Sequence, residues 1–184
     1  GIAQDNPDSL KSMLQGATGA DMLVTIGGAS VGDYDLVKSV LGKEGLDITF
    51  SRVAMRPGKP LIFGTMYEKP MLGLPGNPVS AGVTAALFLK PAIDVMLGRD
   101  VAAQEPETAV LTRDLPENDR RQDYLRSVLG RNEAGDLTVQ PFEKQDSSML
   151  ALFSRADCLA VREPFAEPAK TGERIEIIRL DPRG

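Results

Sequence analysis

Three short loops hold the residues of this chain that could do chemistry. The first, Gly27-Gly28-Ala29-Ser30-Val31-Gly32-Asp33, lies between an apolar run and a helical pattern. Its glycines let backbone N–H groups come close to a ligand, and the helix start behind it favours an anion. Ser30 can donate a hydrogen bond. Asp33 and Asp35 are placed to hold a cation such as magnesium beside phosphate oxygens. The spacing is not that of the dinucleotide fingerprint G-x-G-x-x-G. Helix capping alone is the simpler reading of Asp33. Asp35 is balanced between a ligand role and stabilisation of the helix dipole.

The second loop is Arg56-Pro57-Gly58-Lys59-Pro60, two cations on a proline-stiffened turn. Rigid prolines reduce the entropy lost on binding, and Arg56 with Lys59 could clamp an oxyanion such as phosphate or molybdate. A solvated basic turn is the equal alternative. The third loop, Leu74-Pro75-Gly76-Asn77-Pro78-Val79-Ser80, again follows an apolar run and opens a helix. Asn77 suits the N-cap, Pro78 the first helical position, and Ser80 falls in the first turn. Capping accounts for Asn77 but poorly for Leu-Pro-Gly. Two loops at strand ends and one on a hairpin-like turn could converge on one crevice, where open α/β sheets bind ligands.

The remaining composition narrows the chemistry. The chain of 184 residues has no histidine and one cysteine, Cys158. Catalysis by Ser-His-Asp or Cys-His groups within the chain is excluded, as are an internal disulfide and a cysteine-based zinc site. Cys158 sits in an apolar run and reads as a small buried hydrophobe. A net charge of −5 and scarce aromatics, with no tryptophan, argue against nucleic-acid binding. The longest apolar stretch, 81–89, falls short of the roughly 20 residues of a membrane span, and no signal-peptide pattern opens the chain. A cytoplasmic protein is expected, without membrane or nucleic-acid partners. The sequence starts without Met in a loop-like segment and reads as part of a longer protein.

The elements that must position the loops differ between the two halves, with a break near 98–106. Net charge is −1 up to residue 98 and −4 beyond it. In the first half, helical signals cover 7–14, a stretch from Asp33 or Tyr34 to Gly42 or Gly45, and 78–89, with Pro91 bending or restarting the last toward 97. Strand signals cover 22–26, 48–55, 61–63 and 71–74. The run 22–26 is continuously apolar, which suits a strand buried on both faces of a parallel sheet. Alternating strands and helices argue for a layered α/β domain. In the second half, strand-like runs at 108–111, 124–129, 137–139, 158–161 and 175–180, with a short helix at 147–154, suggest a small β-barrel or sandwich.

Taken together, Gly27-Gly-Ala-Ser-Val-Gly-Asp-Tyr-Asp35, Met55-Arg-Pro-Gly-Lys-Pro60 and Gly73-Leu-Pro-Gly-Asn-Pro-Val-Ser80 resemble the molybdopterin molybdenumtransferases, the MoeA and gephyrin E-domain family. Arg121-Gln-Asp-Tyr-Leu-Arg126 and Gln145-Asp-Ser-Ser-Met-Leu150 are similar to that family's C-terminal domain, so the resemblance covers almost the whole chain. It implies a three-layer α/β, pterin-binding (MogA-like) domain with a mostly parallel sheet over 1–98, lacking its first strand. A linker at 99–105 and a small C-terminal β-barrel domain over 106–184 would follow. It implies a small-molecule reaction in molybdenum cofactor biosynthesis: molybdate enters adenylylated molybdopterin with magnesium, and AMP leaves.

By the same resemblance, the first loop (Gly27, Gly28, Ser30, Gly32, Asp33) and Asp35 would contact the adenylylated pyrophosphate. Asp35 and Asp5 would hold magnesium. The second loop (Arg56, Pro57, Gly58, Lys59, Pro60) and the third (Pro75, Gly76, Asn77, Pro78, Ser80) would face molybdate and the pterin phosphate, with Arg121 and Ser147 reaching the same oxyanion. The family usually has Lys where Arg56 stands, and often Gly-Ser-Gly near 146–148 where this chain has Asp-Ser-Ser. Its two N-terminal domains, which help build a homodimer and complete the active site, lie outside this sequence. The 184 residues alone are therefore expected to bind weakly and turn nothing over. The competing readings are an adenylyltransferase-type pterin-binding protein, which would resemble the first half alone, and a non-enzymatic scaffold module.

Overall fold

The computed structural model describes residues 1–4, 6–27, 34–100, 106–146 and 148–180, with the backbone only for 34–38. The chain divides into two compact units. The first comprises Gly1–Val53 and Gly58–Ala85, the second Ala54–Pro57 and the chain from Ala86 onward.

The first unit opens with α1 (Pro7–Gln15), whose start follows from local chemistry. Asn6 is extended, its side chain accepts from the Ser9 N–H at 2.9 Å, and Pro7 fills the first turn. A four-stranded sheet follows in the order β1 (Leu23–Ile26), β5 (Lys69–Leu74), β4 (Ile62–Met66), β2 (Asp47–Phe50). The helix α2 (Tyr34–Lys43) joins β1 to β2, and Leu10, Leu14 and Leu41 of α1 and α2 pack with Leu46, Ile62, Met66 and Met71 into one core.

Two expectations change here. The sheet is mixed rather than mostly parallel: β1–β5 is parallel, whereas β4–β5 and β2–β4 are antiparallel. The reason is a tight hairpin at Tyr67-Glu68, both at positive φ, which carries β4 and β5 up to Met66 and Lys69. Tyr-Glu is not a turn-forming pair by composition, so the hairpin leaves no local signal. In addition, β1 is not buried on both faces. It is an outer strand in this sheet, and Val24 and Ile26 are exposed, Ile26 by 69%.

The predicted strand over 48–55 is two strands in different sheets. β2 ends at Phe50 after a bulge opposite Gly64, where any Cβ would lie 2.2 Å from the Asp47 carbonyl oxygen. The chain then contributes β3 (Met55–Arg56) to the second sheet, parallel to β7 (Gln122–Arg131).

From Pro78 the chain is helical to Met96. α3 (Pro78–Thr84) passes into a π-helical turn, Ala85–Leu89, and then α4 (Lys90–Met96). The wide turn sits just before Pro91, whose ring would otherwise meet the carbonyl four residues back and whose nitrogen has no hydrogen to donate. By length and composition alone, Pro78–Met96 is long and apolar enough to cross a membrane, correcting the expectation that no stretch reaches that length. Lys90 and Asp94 interrupt the apolar run within this helix, so the uninterrupted stretch read from the sequence ends at residue 89. Lys90 and Asp94 pair at 2.6 Å within this helix.

In the second unit, β7, β8 (Leu137–Pro141), β6 (Glu107–Leu111), β10 (Arg174–Arg179) and β9 (Cys158–Arg162) close into a five-stranded barrel, because β9 also pairs with β7. Closure leaves no open edge within the ring. Small residues fill its interior: Ala109, Cys158 and Ala160, with Leu111, Val139 and Ile177, are all at most 3% exposed. Burial raises the Cys158 thiol to about 12, as expected for a packing residue. The helix expected over 147–154 is the single turn α5 (Leu150–Phe153).

Candidate functional site

In the first unit, the sheet brings Gly27, where loop one begins, beside the start of loop three. β1 and β5 are parallel neighbours with Ile26 opposite Leu74, so the segments leaving them emerge side by side at the C-terminal end. That end is where open α/β sheets take ligands. Gly27 donates its N–H to the Leu74 carbonyl at 3.1 Å. It adopts φ +86, and a Cβ on Gly76 would lie 3.2 Å from the Gly27 Cα. Gly27 is thus favoured by its backbone conformation, and a side chain at Gly76 would press on the Gly27 main chain.

The third loop ends in a built helix cap. Asn77 Oδ1 accepts from the Ser80 N–H at 3.1 Å and Pro78 takes the first helical position. Pro75 is buried, Gly76 exposed, and Ser80 only 7% exposed. Of the first loop, Gly28, Ser30, Gly32 and Asp33 lie outside the described residues, as do Asp5 and Ser147. Asp35 lies in the first turn of α2, with its backbone alone described. Among the described residues no cluster of three or more acidic or thiol groups could hold a metal.

The second loop is split between the units. Lys59, in the first, is exposed, and its carbonyl accepts from the N–H of Val53 and of Leu61. Gly58 has φ +113 and is buried; Pro60 is half-buried. Arg56 and Pro57 belong to the second unit, joined by a cis peptide bond, with Pro57 buried.

Arg56, although 44% exposed at its side chain, is held by two carboxylates. Its Nε donates to Asp123 Oδ1 at 2.8 Å and its Nη2 donates to Asp123 Oδ2, a bidentate pair. Its Nη1 reaches Asp119 Oδ2 at 3.1 Å. Arg121 donates to the same Asp119 oxygen from Nη2 at 3.0 Å. Two residues singled out as oxyanion ligands, 65 positions apart, are therefore held around one carboxylate oxygen. The Arg56 guanidinium is held above its usual range, first by its hydrogen bond to Asp123. The Asp119 carboxyl is held down to about 2, first by the Arg121 hydrogen bonds.

The loop carrying Asp119 is fixed by its neighbours. Asn118 Nδ2 donates to the carbonyls of Arg121, Arg162 and Glu163, and the Phe165 N–H donates to the Asp119 carbonyl at 2.8 Å. Further along β7, Arg126 is 2% exposed and gives an Nη2 hydrogen bond to the Asp146 carbonyl. Gln145 clamps the Arg126 backbone, accepting from its N–H and donating to its carbonyl, both at 3.0 Å. The segment leading to Ser147 is thus anchored on the barrel.

Sequence reasoning missed Asp119, Asp123, Asn118 and Gln145. Asp119 and Asp123 flank Arg121 at two-residue intervals, a period that places the groups on one side of an extended segment. That signal was available. The pairing with Arg56 was not, because it depends on the parallel placement of β3.

Residues 1–95 match the family described as "Probable molybdopterin binding domain", and residues 108–180 match "MoeA C-terminal region (domain IV)". A molybdopterin molybdenumtransferase of Haemophilus influenzae is 34% identical over 96% of this chain and 44% of its own length. One from Bacillus subtilis is 28% identical over 97% and 41%. Among solved structures, a molybdopterin biosynthesis moea protein of Pyrococcus horikosii is similar with a TM-score of 0.76 and 28% identity, over 98% of this chain and 43% of that one. The chain spans less than half the length of these relatives. It belongs to the molybdopterin-binding domain family and carries that domain joined to a MoeA-type C-terminal region.

Proposed function

We propose that this chain supplies the C-terminal part of a molybdopterin molybdenumtransferase, which inserts molybdate into adenylylated molybdopterin and releases AMP. The observation that carries the reading is the approach of Gly27 to the start of the third loop at the ends of parallel β1 and β5. Gly27 and Gly76 hold two main chains close together there, beside an Asn77-capped helix. Such an end presents backbone N–H groups to an anion. The enzyme is proposed to act in the cytoplasm as a homodimer.

Asp35, with Asp5, is the proposed holder of magnesium. With no histidine and its one cysteine buried, the chain offers a metal oxygen ligands, the donors magnesium takes. When bound, the ion would neutralise charge at the pyrophosphate. Lys59, Arg56 and Arg121 are read as cations that stabilise charge on molybdate and phosphate oxygens, with Ser80 and Ser147 as further contacts. Molybdate brings its own oxygen nucleophile, so no protein nucleophile is required.

The test is calorimetric titration of the chain with adenylylated molybdopterin, with and without magnesium. Binding is expected to need the ion and to weaken at least tenfold in Asp35→Asn, on the order of 1.4 kcal/mol. Binding that ignores both the ion and the substitution would remove Asp35 from the reading.

A further inference from the structure

We propose that Asp119 is a built-in anion that occupies the place between Arg56 and Arg121 and is displaced when a tetrahedral oxyanion binds there. The inference rests on the reading of those two arginines as oxyanion ligands.

Three observations lead to it. First, one oxygen, Asp119 Oδ2, accepts from Arg56 Nη1 at 3.1 Å and from Arg121 Nη2 at 3.0 Å. An oxygen of phosphate or molybdate bridging two guanidinium groups would take the same position, since both are charged acceptors at similar distances. Second, the two carboxylates around Arg56 are not equivalent. Asp123 is 7% exposed and fills one whole edge of the guanidinium. It orients the group and cannot leave without stranding a buried charge. The Asp119 side chain is 45% exposed, so its departure leaves it in water. Third, the backbone at Asp119 is pinned, with its carbonyl accepting from Phe165 N–H and its N–H donating to Asn118 Oδ1. Exchange therefore needs rotation of the side chain, which also gives up the Arg121 N–H donated to Asp119 Oδ1 at 2.9 Å to water or to the incoming oxyanion.

Charge gives the direction. Arg56 and Arg121 carry two positive charges, and Asp119 and Asp123 cancel both. A dianion meets a neutral cluster while Asp119 is in place, and a cluster with one net positive charge once it has swung away. The carboxylate thus lowers affinity for every anion and penalises weak monoanions most, because they gain least by displacing it.

The experiment is titration calorimetry of the chain with sodium molybdate at pH 7.5 and fixed ionic strength. Asp119→Asn is expected to bind molybdate at least fivefold more tightly than the unaltered chain, and Asp119→Glu to return affinity toward the starting value. Affinity that is unchanged or weaker in Asp119→Asn would overturn the proposal and leave Asp119 as a support for the arginines; absence of binding to both proteins would overturn it too. Arg56→Gln and Arg121→Gln test the underlying reading separately. If both leave affinity unaltered, the oxyanion lies elsewhere. If both weaken it while Asp119→Asn does not tighten it, the displaced carboxylate alone is wrong. Thermal unfolding of each variant, with a midpoint close to that of the unaltered chain, establishes that the comparison is between folded proteins.

Discussion

Replacing Arg56 by Lys keeps its charge and removes its fork. The guanidinium now makes two parallel hydrogen bonds to the Asp123 carboxylate and a third contact to Asp119. An ammonium on a flexible stem can serve one of these at a time. A hydrogen bond to a charged group contributes about 1.5–3 kcal/mol. The Arg56 side chain is 44% exposed, so water screens part of that. Losing one arm of the fork should therefore destabilise the protein by about 1–2 kcal/mol. Arg56→Gln should do worse, by about 2–3 kcal/mol, because Asp123 is left buried without its bidentate partner. Urea denaturation followed by circular dichroism measures both, and a double-mutant cycle with Asp123→Asn isolates the pair. The reasoning fails if Lys is neutral, if Gln is no worse than Lys, or if the coupling energy falls below about 0.5 kcal/mol.

Other expectations follow from single features. Gly27→Ala forces a side chain onto φ +86 without a clash at Gly76, so the loss should be about 1–2 kcal/mol, and Gly27→Asn should lose less, measured by thermal unfolding. Equal losses for Ala and Asn would show that conformation is not the cause. Cys158 should resist a disulfide reagent at pH 8 in the folded protein by about a hundredfold or more relative to urea-unfolded chain, since its thiol is buried and raised to about 12; rapid labelling of the native state would contradict its burial. Asp114 and Asp119 are both held at about 2 by hydrogen bonds from Thr171 and Lys170 and from Arg121. In the unfolded chain such groups take up protons near pH 4. The stability they supply is therefore complete above about pH 4 and lost as pH falls toward 2. Denaturation midpoints across that window should drop, less steeply in Asp114→Asn.

Much of the architecture was written in local pattern. The Asn-Pro starts of α1 and α3 and the barrel strands β6 to β10 all carry period or capping signals that do not depend on distant residues. What escaped was non-local. The Tyr67-Glu68 turn has no turn composition, so the direction of β4 against β5 was invisible. Exposure of Ile26 could not be read from an apolar run, because burial depends on which neighbours a strand finds. At the site, Arg56 and Arg121 were legible as cations by type and motif. Asp119 and Asp123 showed only their two-residue spacing about Arg121, which by itself usually means a solvated surface; their pairing with Arg56 depends on the distant strand β3.

The four residues Ala54–Pro57 belong to the second unit although the first resumes at Gly58. A chain made from its N-terminus must hold this segment unpaired until Gln122 and Asp123, more than sixty residues later, have been added. Until then Met55, almost completely enclosed in the finished protein at 2% exposure, lies open to solvent or to other chains. A cut anywhere between the two units would fix that state permanently. The piece bearing the first and third loops would keep an orphaned strand and an apolar side chain without a home, which is a ready start for aggregation. Separating the halves of this protein as independent modules should therefore fail through insolubility of the N-terminal piece, even though each half carries its own core.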